Sequence, residues 1–597
     1  MKRPSLLTPL ALLAGCSIIV WLTGIAVLRI TSYEVDTALL HYVSNARFIL
    51  LIVFLLLLSW EAFVRFLQRP REDTPAAQGE QDFTPARLAT SPLPHWFLPA
   101  IFSLVLAILL TYRAFTMSPY TADEGIWNYV GYAWQHFGLP PYTGTLENKT
   151  PGIFYLFYLS TQWFGVNFWF PRAVGVLVMV LTGVGIYTLG RRFHGHHVGL
   201  LAMVCYGLTS ASDVMNGAYP AETETFMLAF TVLAANLLLT SLRATHPQRR
   251  AGWLLLAGIS LGGAVAFKQI AIASALGLFW LYLALLPSSQ RRWWVIVREG
   301  LLVACGLLLA TGISLIPLLI SHVSLADYWH GAWLILRAPG SSAPNILVRI
   351  WRASSVMEAV DFQLYLLVLL GTVGLYRLMK KQAMPVAGLL GWFALEFLAA
   401  NASGSYFGHQ LRQFLPPLAL LASLTLATLV QWRWRGETLK SPTIYLLGVI
   451  VMLLWWPSWA PDRNMPQFTR ASQRIVSWVA THTTDSDYVY IFSMGEGNPL
   501  LAFMQRRASS RFFTQYFLGM PGGEAELRRD LQQHPPRYLL LPIHKYMSSL
   551  PVRAIPDWVM QLTTRDYRLE TTISYLERTP LDDQQKSGFE LYRRNNP

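Results

Sequence analysis

The chain has 597 residues, of which 53% are hydrophobic and only 13% charged, with a formal net charge of +14. Apolar runs near the length that a bilayer demands, about 20 residues, recur along it, which excludes a soluble globule and predicts a multi-pass membrane protein. Most of the arginine and lysine falls in short loops between those runs, where the positive-inside rule accounts for it, so nucleic acid is not expected as a partner.

At the N-terminus Lys2 and Arg3 precede an apolar run holding Leu13, Ala14, Gly15 and Cys16, the pattern of a lipoprotein cleavage box. The run continues from Ser17 to Ile30 without a polar tether, so it is read as an uncleaved first span from about Leu6 to Ile30. A second span is expected from about Ala46 to Leu67, followed by a polar, Pro- and Gln-rich segment, Gln68 to Pro94, that reads as a cytoplasmic linker. Cys16, Cys205 and Cys305 lie inside apolar runs with no pairing or metal-ligand spacing and are read as packing residues.

After an apolar run near 95–116 comes the stretch Thr121 to Phe154, which opens on Asp123 and Glu124 and closes on Glu147, Asn148, Lys149 and Thr150 before Pro151. Ile126, Tyr129, Val130, Ala133, Trp134 and Phe137 recur at helical spacing. This predicts a helix lying in the membrane interface, its apolar face in the headgroups or on neighbouring helices. A second short helix is predicted with Thr150 as cap and Pro151 in its first turn. The adjacent carboxylates have an alternative reading as mere caps of the helix that follows, whose N-terminal end favours acids.

Further spans are expected near 171–190, 198–213, 222–242, 252–267, 269–286, 298–320, 359–378, 384–400, 411–431 and 441–457, about thirteen in all by hydropathy. With a cytoplasmic N-terminus, the cytoplasmic loops carry Arg191 and Arg192, Arg249 and Arg250, Arg291 and Arg292, Lys380 and Lys381, and Arg433 and Arg435. The acidic stretch and everything after Pro457 then fall on the outer face. Basic residues at the outer ends of spans work against that rule, and Lys149, Arg172, Lys268, Arg337, Arg349, Arg352 and Arg412 are all there. Each has a reading as a side chain snorkelling to the headgroups; as a group they suggest an anionic ligand entering from the outer leaflet.

Beyond Pro457 the pattern changes. A helical pattern (Phe468 to Thr481), a strand-like run (Tyr488 to Ser493), a charged helix (Gly523 to His534) and another strand-like run (Tyr538 to Pro542) predict a small α/β outer domain with no recognisable chemistry of its own. The expected division is an added N-terminal helix pair (1–67), a linker (68–94), a membrane body (95–457) and the outer domain (458–597).

The order of features is TADEG around Asp123, ENKTPGIFY after it, Arg172 opening the next span, YPAETE around Glu222, AFKQ around Lys268 and GHQLRQFLPPLALL around His409 and Arg412. It resembles the bacterial GT-C membrane glycosyltransferases, and more narrowly the protein O-mannosyltransferase-like family that includes the lipid A aminoarabinose transferase and the lipopolysaccharide galacturonosyltransferases. The likeness runs from about Trp96 to Pro457. The added N-terminal pair departs from it, as does Thr150-Pro151, where relatives often carry a second proline. The resemblance implies an α-helical GT-C fold in the cytoplasmic (inner) membrane, working on the outer face. It also implies transfer of a sugar from a polyprenyl-phosphate donor to a hydroxyl of a lipid, glycan or protein acceptor.

On that reading Asp123 is the general base, Glu124 or Glu222 positions the acceptor or sugar, and Lys149 holds the donor phosphate with help from Lys268, His409 and Arg412. No cofactor is required; a divalent cation is allowed. Two rivals stay open: a metal-dependent enzyme of the same superfamily with a pyrophosphate-linked donor, its cation held by the acidic pair and Glu222, and a transporter or flippase of lipid-linked sugars. The sequence shows no evident inverted repeat, which ranks transport second.

Overall fold

The computed structural model describes residues 96–116, 122–211, 221–334, 371, 383–402, 408–430, 465–493, 498–543, 546–549, 552–574 and 588–595. The expected N-terminal spans, the linker, the span near 359–378 apart from Gly371, the span near 441–457, and Arg337, Arg349 and Arg352 lie outside them.

The membrane body begins with α1 (Phe97–Thr116), after which α2 (Ala122–Phe137) and α3 (Pro151–Phe164) form the stretch between the first spans. Then come α4 (Trp169–His194), α5 (His196–Ala211), α6 (Thr223–Leu242), α7 (Pro247–Phe267), α8 (Ala271–Leu285) and α9 (Trp293–Ile320). Two more, α10 (Ala383–Ala402) and α11 (Leu415–Val430), flank a tight 3-10 turn, Gly408–Phe414. Five of the described helices, α1, α4, α6, α7 and α9, are long and apolar enough to cross a membrane. Several outrun the expected spans, because hydropathy registers the apolar stretch while the helix continues through polar ends such as Arg191 and Arg192.

Within this body, α7 and α9 meet through glycines. A Cβ at Gly258 would come within 2.1 Å of the Val303 carbonyl oxygen, and one at Gly306 within 2.3 Å of that of Leu255. Small residues at such spacing let two backbones touch where lipid offers no hydrophobic drive to association. Between α7 and α8 the chain breaks at Lys268, whose extended backbone (φ −155°, ψ 125°) ends one helix before the next begins at Ala271. That break lies where the sequence places it.

The predicted helix pair at 121–154 forms, but α2 lies on protein rather than lipid headgroups. Ile126, Tyr129, Val130 and Ala133 are at most 2% exposed and share one apolar core with α3 and with the C-terminal residues Ile475, Leu500 and Phe513. Thr150 takes the cap position of α3 with Pro151 behind it, yet its hydroxyl makes no capping hydrogen bond. Proline at the first position removes one orphan amide, which lessens what the cap must satisfy.

The C-terminal residues build an α/β unit. Helix α12 (Met465–His482) leads into a five-stranded sheet of order β2-β1-β3-β7-β6. In it β1 (Tyr488–Ile491) lies parallel to β2 (Arg507–Ala508) and to β3 (Tyr538–Pro542), and β7 (Gly588–Arg594) runs antiparallel between β3 and β6 (Tyr567–Ser574). A separate hairpin joins β4 (Tyr546–Ser549) to β5 (Val552–Ala554). Helices α13 (Asn498–Met504), α14 (Gly523–Gln533) and α15 (Asp557–Asp566) complete the unit.

This unit is seated on α2 and on the loop that follows it. The Tyr129 hydroxyl accepts a hydrogen bond from the Ala508 amide at 2.7 Å, and its ring packs 4.9 Å from that of Phe513. The Leu146 amide donates to the Arg511 carbonyl at 2.9 Å. One face of the α2–α3 stretch is thereby fixed from outside the membrane body.

Candidate active site

Asp123 and Glu124 sit together in the first turn of α2, but successive helical residues point in different directions, and their surroundings differ accordingly. Glu124 is buried in an ion pair with Arg172 of α4. Its Oε2 accepts from Arg172 Nε at 2.8 Å and lies 2.7 Å from Nη2, while Nη1 donates to the Ala114 carbonyl oxygen at 2.6 Å. This pair ties together the ends of α1, α2 and α4. Arg172 thus has Glu124 as its anionic partner, and Glu124 still adds to the charge felt by Glu222.

Asp123 turns toward two other segments. Its carboxylate, that of Glu222 and the imidazole of His409 each bring one ligand atom into a cluster whose members all lie within 4.8 Å of one another. Glu222 is the residue before α6, and His409 stands on the Gly408–Phe414 turn. Burial, then the carboxylates of Asp123, Glu224 and Glu124, raise Glu222 well above the usual carboxylate range, with Arg412 pulling the other way. Burial lowers His409 below its ordinary value, opposed by Glu224 and Asp123. The shifts favour the neutral form of the imidazole and the protonated form of the carboxyl.

Lys268 does not reach out for a ligand unopposed. It forms a buried ion pair with Glu224, whose other oxygen accepts from the Thr223 hydroxyl at 2.8 Å. His409 Nε2 lies 3.7 Å from the same Glu224 carboxylate. Glu224 is the member of this group that sequence reading passed over in favour of Glu222 two residues earlier. The signal was present: an ionisable residue just inside an apolar span needs a partner, and Lys268 is another such residue. Arg412 is 1% exposed and donates from Nη1 to the Thr225 hydroxyl at 3.0 Å, so it lies beneath the cluster against α6.

Among Lys149, Lys268 and Arg412, Lys149 is the most exposed, its side chain 24% accessible against 11% for Lys268. The Lys149 ammonium donates to Asn148 Oδ1 at 3.2 Å, lies 3.6 Å from Glu147 and sits 6.0 Å above the Trp127 ring. Burial works to lower it, but Glu147, Asp123, Glu224 and Glu222 together overcome that and raise it, so it stays charged. Glu147 is raised in turn, mainly by burial and also by Asp123, with Lys149 opposing. From the C-terminal unit Tyr516, still partly exposed, faces the same charges. Partial burial and Asp123 push its hydroxyl up to about 12 against the pull of Lys149. Nothing in the sequence marks Tyr516, because only the docking of that unit brings it here.

The site thus joins Asp123, Lys149, Glu222 with Glu224, Lys268, and His409 with Arg412, five stretches far apart in sequence. Two carboxylates and an imidazole form a donor set that suits a divalent cation. The cluster therefore fits a metal ion as well as a proton-transfer group.

Residues 148–316 match the family described as dolichyl-phosphate-mannose-protein mannosyltransferase. No curated protein matches the chain. Among solved structures, ArnT from Cupriavidus metallidurans in the apo state superposes with a TM-score of 0.55 at 14% identity, covering 83% of this chain and 97% of that one. The same protein bound to undecaprenyl phosphate gives 0.52 at 13% identity, covering 83% and 98%. The GT-C resemblance drawn from the sequence is borne out by the fold and, over 148–316, by the family match.

Proposed function

We propose, taking the GT-C fold and the family match as premise, that this membrane protein is a glycosyltransferase that moves a sugar from a polyprenyl-phosphate donor to an acceptor hydroxyl. The observation that carries the reading is the meeting of Asp123, Glu222 and His409 within 4.8 Å beside a lysine whose charged form Glu147 and Asp123 favour most. A helix-capping role for Asp123 accounts for none of that company. The charge sidedness of the loops puts the site on the outer face of the cytoplasmic membrane, and the same reasoning makes the C-terminal unit an extracytoplasmic domain over it.

The acceptor oxygen attacks the anomeric carbon from the face opposite the phosphate, and the bond from that carbon to the phosphate oxygen breaks with inversion. Asp123 takes the hydroxyl proton as the new bond forms, while Glu222 positions the incoming sugar or acceptor. The leaving group is polyprenyl phosphate, which gains negative charge as it departs. Lys149 lies where that charge grows, and one well-placed donor in a partly dry site contributes roughly 3 to 4 kcal/mol to the transition state. Lys268 and Arg412 supply positive potential from behind, each held in place by α6.

A second reading is favoured by the ligand geometry: a divalent cation on Asp123, Glu222 and His409, supplying Lewis-acid stabilisation of a phosphate oxygen. Incubating the purified protein with a radiolabelled polyprenyl phosphosugar and membrane acceptor lipids, with and without a chelator, separates the readings. Label transfer with release of carrier phosphate, undiminished by the chelator, is expected. Loss with the chelator and recovery with a divalent ion would make the three residues metal ligands. Movement of intact donor across the bilayer without release would make the protein a transporter.

A further inference from the structure

The break between α7 and α8 presents two side chains in succession. Lys268 turns to Glu224; Gln269, 7% exposed, turns to the loop that carries Lys149. Its Nε2 donates to the Asn148 carbonyl oxygen at 3.1 Å and to the Ala332 carbonyl oxygen at 2.8 Å. Both partners are acceptors, which settles which end of the amide faces them. On the other side of the same loop the Tyr142 hydroxyl donates to the carbonyl oxygen of Lys149 itself at 2.7 Å. Tyr142 keeps a left-handed backbone (φ 73°), unusual for a bulky residue, and its ring lies so close to Gly331 that a Cβ there would come within 2.6 Å of it.

The two peptide carbonyls on either side of the Lys149 Cα are therefore each held by a buried side-chain donor. Each donor also touches the one-turn segment His330–Leu334. We infer that Gln269 is a positioning residue for Lys149: it fixes the backbone from which the ammonium is aimed at the donor phosphate, with Tyr142 as the second clamp, and ties that loop to residues 331 and 332. The inference rests on the reading of Lys149 as the phosphate-holding group. Its logic is that a lysine has a flexible four-carbon stem, so its aim depends on where the stem starts, and small displacements from a productive geometry cost far more than the contact that prevents them.

The test uses undecaprenyl phosphate as probe, titrated into the purified full-length protein in nanodiscs, with wild type, Lys149→Gln, Gln269→Met and the double variant. Gln269→Met keeps the length and loses both donors. It is expected to weaken binding about tenfold, the scale of one to two lost hydrogen bonds, and to add nothing on the Lys149→Gln background, since a positioning residue acts only through the group it positions. Tyr142→Phe, which removes one hydroxyl, is expected to show the same lack of additivity and serves if Gln269→Met does not fold. Losses that add in the double variants, or full binding in Gln269→Met where Lys149→Gln has lost it, would overturn the inference alone. Full binding in Lys149→Gln would overturn the reading of Lys149 beneath it.

Discussion

Asp123 and Glu124 differ by one carbon and one position, and the fold gives them separate partners. Asp123→Asn keeps the shape and removes proton acceptance, so transfer is expected to fall about a hundredfold to ten-thousandfold with donor binding intact. Glu124→Gln leaves the Arg172 guanidinium buried without its anion, and breaking such a pair costs about 3 to 5 kcal/mol. Thermal melting in detergent should therefore drop for Glu124→Gln and hardly move for Asp123→Asn; the reverse ranking would exchange their roles. Glu147 offers a pH test. Its raised pKa means that it takes up a proton as pH falls while Lys149 stays charged, so affinity for a phosphodiester donor, whose own charge is constant there, should rise toward lower pH. Glu147→Gln should bind the donor more tightly at neutral pH and lose that slope, and a slope that survives the substitution would place the titrating group elsewhere. Asp123 and Lys149 were legible because each stands out against its local pattern, one as an acid opening an amphipathic helix, the other as a base on the wrong face. The Arg172–Glu124 and Lys268–Glu224 pairs were not, since their partners are contributed by other helices and no periodicity reports a partner across the bundle.

The α2 and α3 helices were legible from apolar spacing and from Pro151, whereas their environment was not. A face that could sit in headgroups or on protein looks the same in one sequence, and here Tyr129 and Phe513 settle it for protein. At the start of α3, a Cβ on Gly152 would come within 2.7 Å of the Ala266 carbonyl oxygen, at the end of the helix that leads into Lys268 and Gln269. Gly152→Ala must push these ends apart, and such overpacking typically costs about 1 to 3 kcal/mol. A lower melting temperature together with weaker undecaprenyl phosphate binding is the expected pair of results; unchanged values of both would mean that the two helix ends need not touch. In the C-terminal unit β1 and β3 were foreseen, being buried apolar runs. The strands β6 and β7 were not, because charged side chains interrupt both: Arg568 and Glu570 in one, Glu590 and Arg593 in the other. Their pairing with each other and with β3 supplies the stability that their composition hides.

At the scale of the whole molecule, the order of motifs anticipated the fold, and the charge of the loops yields an orientation that labelling tests. How the C-terminal unit meets the membrane body rests on contacts such as Tyr129 with Ala508, 379 positions apart, which leave no trace in local pattern. Because that unit buttresses α2 and the Lys149 loop, a chain ending before Met465 is expected to insert in the membrane and yet lose transfer. Activity in the truncated chain would reduce the unit to an appendage. Orientation is checked in a cysteine-free background: Ala525→Cys, on the exposed face of α14, should react with a membrane-impermeant thiol reagent in intact cells, and Gln248→Cys, exposed in the first turn of α7, should not. The opposite pattern would put the site on the cytoplasmic face.

The division of labour between Asp123 and Lys149 is the claim from which the rest follows. It is tested most directly by measuring, on the same preparations of wild type, Asp123→Asn and Lys149→Gln, both donor binding and single-turnover transfer of labelled sugar from a polyprenyl phosphosugar. Asp123→Asn should bind the donor as wild type does and fail to transfer, and Lys149→Gln should be lowered in both. Transfer at the wild-type rate by either variant would contradict the assignment.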